Sequence, residues 1–297
     1  MGKYKCLILG STAIFTRNYN ALKKYEDQIE IIGFIPVYYA NYNIENLKII
    51  KEEEIKNINY DYVILVYDQT SDLNNKNIIN KAINNGVTKD KMILYQVLNH
   101  YNFDFQLYEK ILKKTPTIFA NSCWGSLTHD YLCIEYKTPF VNLSINEYDY
   151  IKFLKNPQNY LDKELEYYED GYNSEQDFYY PICKLNDILI HFRHYRNFDE
   201  ANYEWNKRKK RINMDNLFVM MQTEKYELAE EFVKLPYKNK ICFVPFECNL
   251  PNVVSLKILD DINLEFWNKV ICLSTGEIPL YDPYKLIAEN KYVSNIN

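Results

Sequence analysis

The sequence predicts an α/β protein made of two Rossmann-like three-layer domains with mainly parallel sheets, the second carrying an added hairpin. Three observations lead there. Short apolar runs alternate with helix-length segments along the chain, the pattern that parallel βαβ units produce. Pro116 falls between two such series, separating residues 1–114 from residues 115–297. In the second series, "PICKLNDILIHFRHY" reads as two strands turning at Asn186–Asp187.

Element by element, "KCLILG" is a buried strand and "STAIFTRNYNALKKYE" a helix capped by Ser11 or Thr12. "IEIIGFI" and "DYVILVY" are strands, a helix over residues 72–85 stops at Gly86, and "KMILYQV" is a further strand. "NFDFQLYEKILKK" closes the first domain as a helix. The second opens with the strand "TIFAN", the helix "CWGSLTHDYLCIEY" and the strand "PFVNLSI". "EYDYIKFLKN" and "QNYLDKELEYYE" read as helices before the hairpin, and "FDEANYEWNKRKKRI" as one after it. The strand "NLFVMMQT", the helix "EKYELAEEFVKL" and the strand "KICFVPF" follow; the tail from residue 250 is less legible.

Composition narrows the function. With 297 residues, 47% of them hydrophobic, the chain can fill two cores without disulfides or metal staples. Seven cysteines at irregular spacing, with no CxxC, speak against a disulfide framework. A net charge of −5 speaks against a general nucleic-acid binder. No apolar stretch approaches the roughly 20 residues that span a bilayer. The short apolar run after Met1 lacks a cleavage site, so a cytoplasmic protein is expected.

Four stretches carry candidate chemistry. The first βα turn, "LILGSTAIFTRN", sits where a dinucleotide fold carries G-x-G-x-x-G, but Gly10 is alone and Thr12 and Phe15 take the other glycine positions. Backbone amides at Gly10, Ser11 and Thr12 offer a place for a nucleotide sugar or another phosphate-containing donor. A Rossmann-like scaffold without a cofactor is the competing reading.

In "NSCWGSLTHDYL", Ser122 as helix cap puts Cys123 in the first helical turn. There the helix dipole favours a thiolate, and the amides can hold an oxyanion. A packed corner cysteine is the alternative. His129 and Cys133 lie close enough to suggest a metal, yet the spacing is not that of a compact zinc site and a fourth ligand is missing, so no metal is expected.

In "DILIHFRHYRNF", a regular strand puts Leu189, His191, Arg193 and Tyr195 on one face, with Ile188, Ile190, Phe192 and His194 on the other. Both histidines share a site only if the strand bends or ends between them. In "NKRKKRINMDN", an apolar stripe of Phe198, Ala201, Trp205 and Ile212 turns much of Lys207–Arg211 outward. That run is either a solvated face or a contact for phosphate, an acidic glycan or an anionic membrane surface. Asp215 and Asn216 stand just before a strand, as site or turn residues.

Taken in order, "NSCWGSLTHDYL", "TPFVNLSINEYDYIKFLKN", "YYPICKLNDILIHFRHY" and "FDEANYEWNKRKKRINMDNLFVMM" resemble a bacterial family of unknown function described as exopolysaccharide biosynthesis proteins. The resemblance covers about residues 110–250. Its cysteine pattern is close to Asn-Asn-Cys-Trp-Gly-Gly; Asn121, Cys123, Trp124 and Gly125 match, while Ser122 and Ser126 depart. His191, Phe192, His194 and Tyr195 match its paired-histidine strand. Arg208, Lys209, Lys210, Arg211, Asp215 and Asn216 match its basic segment.

The resemblance implies a place in surface-polysaccharide synthesis, and with the residues above the leading expectation is a transferase acting on a nucleotide- or lipid-linked sugar. Cys123 is then a nucleophile, His191 or His194 its base and Asp215 an orienting group. Asn121, Trp124, Gly125, Arg193, Arg208, Lys209, Lys210, Arg211 and Asn216 would contact a phosphorylated or acidic sugar. Phosphoryl or glycosyl transfer would use the same cations without the thiol. Expected partners are that sugar and other polysaccharide-synthesis enzymes, with peripheral membrane contact but no nucleic acid. A non-catalytic glycan- or nucleotide-binding protein of the same pathway is the alternative, and a thiol hydrolase a third reading.

Overall fold

The apolar run of β1 (Tyr4–Gly10) sits at the centre of a parallel sheet, with Cys6–Leu9 fully buried. This computed structural model describes residues 2–37, 47–67, 72–174 and 176–295. The chain divides between Lys113 and Lys114 into two units.

In the first unit, α1 (Thr12–Lys23) follows β1 and leads to β2 (Ile29–Pro36). β3 (Tyr62–Val66), α2 (Asp72–Asn84), β4 (Met92–Leu94) and α3 (Phe105–Lys113) complete it. All pairings are parallel, in the order β2-β1-β3-β4. Gly86 terminates the α2 segment with φ +83°, the left-handed stop expected there.

Gly10 has a structural task. Its φ is +155°, and a Cβ there would lie 1.9 Å from the Val66 carbonyl oxygen. The Ser11 amide donates to that same oxygen at 3.0 Å, and the Gly10 carbonyl accepts from Val37 N–H at 3.0 Å. Phe15, at the third glycine position, is fully buried and stacked 5.1 Å from Phe34. Gly10 thus serves the close approach of β1 to β3, and the Ser11 amide offered to a phosphate is already used. Thr12 is buried at the start of α1.

The second unit has two sheets. β5 (Thr117–Ala120) runs into α4 (Trp124–Tyr131), then come the two-residue β6 (Ser144–Ile145), α5 (Glu147–Lys155) and α6 (Pro157–Leu161). β7 (Glu166–Asn173), β8 (Phe178–Leu185) and β9 (Ile188–His191) precede α7 (Phe198–Lys209). β10 (Leu217–Gln222), α8 (Tyr226–Lys234), β11 (Lys240–Val244), β12 (Val253–Ser255), α9 (Phe266–Ser274) and α10 (Pro283–Glu289) finish the chain.

One sheet is parallel, β12-β11-β10-β5; the other is antiparallel, β6-β9-β8-β7. The expected hairpin is therefore the middle of a four-stranded sheet. It turns at Asn186 (φ +58°), as its Asn-Asp pair requires. Three expectations change. "PFVNLSI" contributes only β6. "ELEYYE", expected to be helical, belongs largely to β7, whose bulge and tyrosines suit an edge strand. The helix after Cys123 stops at Tyr131, because Cys133 takes φ +50°. His129 and Cys133 therefore do not share a helix face.

Buried residues from both sheets meet in one core, including Phe119, Phe140, Phe153, Ile190, Phe192, Trp205 and Val219. That joint core fixes where the carboxyl ends of β5 and β10 stand relative to β6 and β9.

Candidate functional site

β5 runs directly into Asn121, which is almost wholly buried and ties three segments together. Its side chain donates to the Gln222 carbonyl and accepts from the Gln222 amide, both at 3.0 Å. Its own carbonyl accepts from Ile145 N–H at 3.1 Å. The ends of β5 and β10 and the start of β6 are thereby held in register around a cleft of about 570 Å³.

Asn121, Ser122, Cys123 and Gln222 line this cleft beside Ser144 and Glu147, with His191 at the end of β9, Arg193 in the turn after it, and Glu265, Trp267 and Asn268 at the start of α9. The Asn146 side chain caps α5 by accepting from Tyr148 N–H, and Glu147 is paired to Lys225 at 3.0 Å. The cleft lies at the carboxyl edge of a parallel sheet, where α/β folds bind their ligands.

Arg193 is the cleft's cation. Its Nε donates to Ser144 Oγ at 2.9 Å, and its guanidinium lies 5.8 Å from the centre of the Tyr180 ring. Among the described residues no carboxylate forms an ion pair with it. A guanidinium held at its Nε and ring face keeps a planar fork of N–H donors for an anion.

His191 stands opposite Ser144 in the β6–β9 ladder, with Nδ1 3.5 Å from Tyr180 Oη. Burial, helped by Arg193 and opposed by Glu169 and Asp149, pulls its pKa below the usual imidazole value. The ring is therefore neutral near pH 7, as a proton acceptor must be.

Cys123 directly precedes α4 with its Sγ 4.0 Å from the Leu143 carbonyl oxygen. The expected thiolate is not what this environment favours. Burial pushes the thiol pKa up, and the nearby Arg193 only partly opposes it. The cysteine lines the cleft as a protonated thiol.

Gln222 is 3% exposed, and its side-chain oxygen is buried with no hydrogen-bond partner among the described residues. Leaving such a group unsatisfied costs about 1–3 kcal/mol.

The other candidates lie elsewhere. His194 is exposed and borders a separate cleft of about 440 Å³ with Asn142, Glu200, Glu204 and Arg208. The parting of the two histidines has a local cause: β9 ends at His191, and Phe192 N–H bonds Pro181 O while Tyr195 N–H bonds Phe192 O. Tyr195 turns inward and donates to the Val141 carbonyl at 2.8 Å.

Asp215 and Asn216 precede β10, whereas Cys123 follows β5. The two strands are parallel, with Leu217 beside Thr117 and Met220 beside Ala120. Asp215 is thus at the opposite edge of the sheet, roughly 16 Å or more away at about 3.3 Å per residue. It cannot orient a histidine of this cleft. Asn216 donates to the Lys114 carbonyl at 2.9 Å.

Trp124, expected to touch substrate, is fully buried; its Nε1–H donates to Tyr281 Oη and its ring stacks on Phe218. Gly125 permits close helix–strand packing: a Cβ there would come within 3.1 Å of Ala120 Cβ. The basic run is mostly paired. Arg208 binds Glu204 and Tyr195 Oη, Lys209 reaches Glu164 and Arg211 reaches Glu135. Lys210 is exposed. None of these four lines the cleft.

Residues missed in the sequence are instructive. Gln222, a polar end to the apolar run "LFVMMQ", carried a visible signal. Ser144, Glu147 and the α9 residues carried none, since only the fold brings them to the same edge.

Comparison with known proteins agrees on the region and leaves the chemistry open. The C2185-like N-terminal domain matches residues 2–93. An uncharacterised protein of Haemophilus influenzae is 35% identical over 141 residues, 46% of this chain and 65% of that protein's length. A domain of unknown function, DUF1919, matches residues 94–275, more than half of the chain and the whole stretch from which the cleft is built. This chain belongs to the DUF1919 family.

Proposed function

We propose that the cleft is the site of a phosphoryl-type transferase acting on a nucleotide- or lipid-linked sugar in bacterial surface-polysaccharide synthesis, working in the cytoplasm. The observation that carries this reading is Arg193: a fixed guanidinium without a carboxylate partner among the described residues, in the same cleft as a neutral histidine. Arg193 holds the donor's phosphate oxygens as charge builds on them. His191 takes the proton from the acceptor hydroxyl, whose oxygen forms the new bond to phosphorus. The bond from phosphorus to the leaving oxygen breaks, and that oxygen departs with the electron pair. With Nδ1 near Tyr180, Nε2 is the nitrogen left for the acceptor.

A second reading, acyl transfer through Cys123, draws support from the thiol's place in the cleft beside Arg193. Incubation with nucleotide sugars and a hydroxyl-bearing glycan acceptor, and separately with activated acyl donors, followed by mass spectrometry, tests both. Phosphoryl transfer predicts a loss of about 10²-fold or more in His191→Ala and a small change in Cys123→Ser. Collapse of turnover in folded Cys123→Ser, with an acyl adduct on the wild-type thiol, favours the second reading. Ligand binding without turnover favours a non-catalytic binding protein.

A further inference from the structure

The cleft has two unlike walls. On one, Arg193 offers charge. On the other, Gln222 and the first turn of α9 offer amide and aromatic groups. Gln222 has both backbone groups bound to the Asn121 side chain, so its position is fixed at the strand end. Period-two alternation puts it on the same sheet face as Phe218, which stacks on Trp124 of α4. Its carboxamide oxygen is buried and, among the described residues, unpartnered, which is unusual for a group with two lone pairs. Trp267, on the same cleft, is 38% exposed, whereas Trp124 and Trp205 are at most 1% exposed.

A partly exposed indole in the same cleft as an unsatisfied amide oxygen is the chemistry that recognises a sugar ring: the apolar face lies on the aromatic and hydroxyls fill the polar positions. A hydroxyl both donates and accepts, so it satisfies either end of a carboxamide. We infer that this wall is a monosaccharide subsite, in which a pyranose ring packs on Trp267 and one of its hydroxyls donates to Gln222 as its phosphate engages Arg193. This inference rests on the sugar-phosphate reading above and adds the residues that recognise the sugar.

The test uses the full chain, inorganic phosphate and a panel of hexose 1-phosphates (glucose, galactose and N-acetylglucosamine). Binding is followed by calorimetry and by indole fluorescence, to which Trp267 is the most solvent-accessible contributor. The expected result is that at least one hexose 1-phosphate binds more tightly than phosphate and quenches fluorescence, whereas phosphate binds without quenching. Gln222→Met should lose about tenfold in affinity for that sugar phosphate and leave phosphate binding unchanged. Trp267→Leu, at an exposed position that tolerates change, should remove the quenching and the sugar's advantage. Arg193→Ala should weaken both probes. If the probes bind through Arg193 but sugar and phosphate bind alike, or both variants weaken them equally, the sugar subsite is wrong and the phosphate reading stands. If no phosphate-bearing probe binds, the phosphate reading fails and the subsite falls with it.

Discussion

Asn121 and Gln222, 101 positions apart in sequence, exchange two hydrogen bonds of 3.0 Å between a side chain and a backbone. The pair locks the ends of two parallel strands at the edge where the cleft opens. Asn121→Ala leaves the Gln222 amide and carbonyl without these partners in a buried place. The expected cost is about 2–4 kcal/mol, measured by urea unfolding. Asn121→Asp keeps the acceptor but sets a carboxylate against the Gln222 carbonyl, so it should not restore stability.

Arg193 should set the titration of its neighbours. Its charge lowers the pKa of both His191 and Cys123, on top of burial in the first case and against burial in the second. In Arg193→Ala both pKa values should rise. Histidine titration by NMR should show His191 protonating at higher pH than in wild type. Iodoacetamide labelling of Cys123, followed by peptide mapping at pH 8, should be slower still than in wild type.

Acid should destabilise the second unit through His129. This residue is fully buried with Nδ1 2.7 Å from the Gly125 carbonyl, and burial pushes its pKa down to about 4. The unfolded histidine takes a proton near pH 6.5, so the unfolded state holds more protons between pH 6.5 and 4. Its contribution to stability is complete above pH 6.5 and drains as pH falls toward 4, by about 3 kcal/mol in all. His129→Gln should be less stable at pH 7.5 but lose less than wild type between pH 6.5 and 4.5, measured by denaturant unfolding at each pH.

Lys240 should matter despite standing in an apolar strand. It is 6% exposed, and its Nζ donates to the carbonyls of Phe232, Val233 and Leu235 at the end of α8, at 3.3, 2.6 and 2.5 Å. A cation there satisfies orphan carbonyls and complements the helix dipole. Lys240→Met keeps the aliphatic packing and removes those bonds. We expect a loss of about 2 kcal/mol, read as a lower thermal midpoint.

Gly10→Ala should destabilise the first unit by more than about 2 kcal/mol, since the added Cβ meets the Val66 carbonyl at 1.9 Å and the φ of +155° suits glycine. Hydrogen exchange localised to β1 and β3 would show the damage. Unchanged exchange there would mean that the close approach of the two strands is not needed.

By itself, the sequence determined the alternation of strands and helices, the two α/β series and the turn at Asn186–Asp187. These depend on local apolar periodicity and turn chemistry, which neighbouring residues carry. It also singled out Asn121, Cys123, His191 and Arg193. The tertiary structure alone decided which of them meet. Parallel pairing of β5 with β10 sends Cys123 and Asp215 to opposite edges, and the end of β9 at His191 parts it from His194. Distant carboxylates, Glu164 and Glu135, take up Lys209 and Arg211 of the basic run, while Lys207 and Arg208 pair with Glu204 on their own helix. The α9 wall and the unsatisfied Gln222 exist only once strands far apart in sequence are brought to one edge, because a cleft is a property of packing and has no period along the chain.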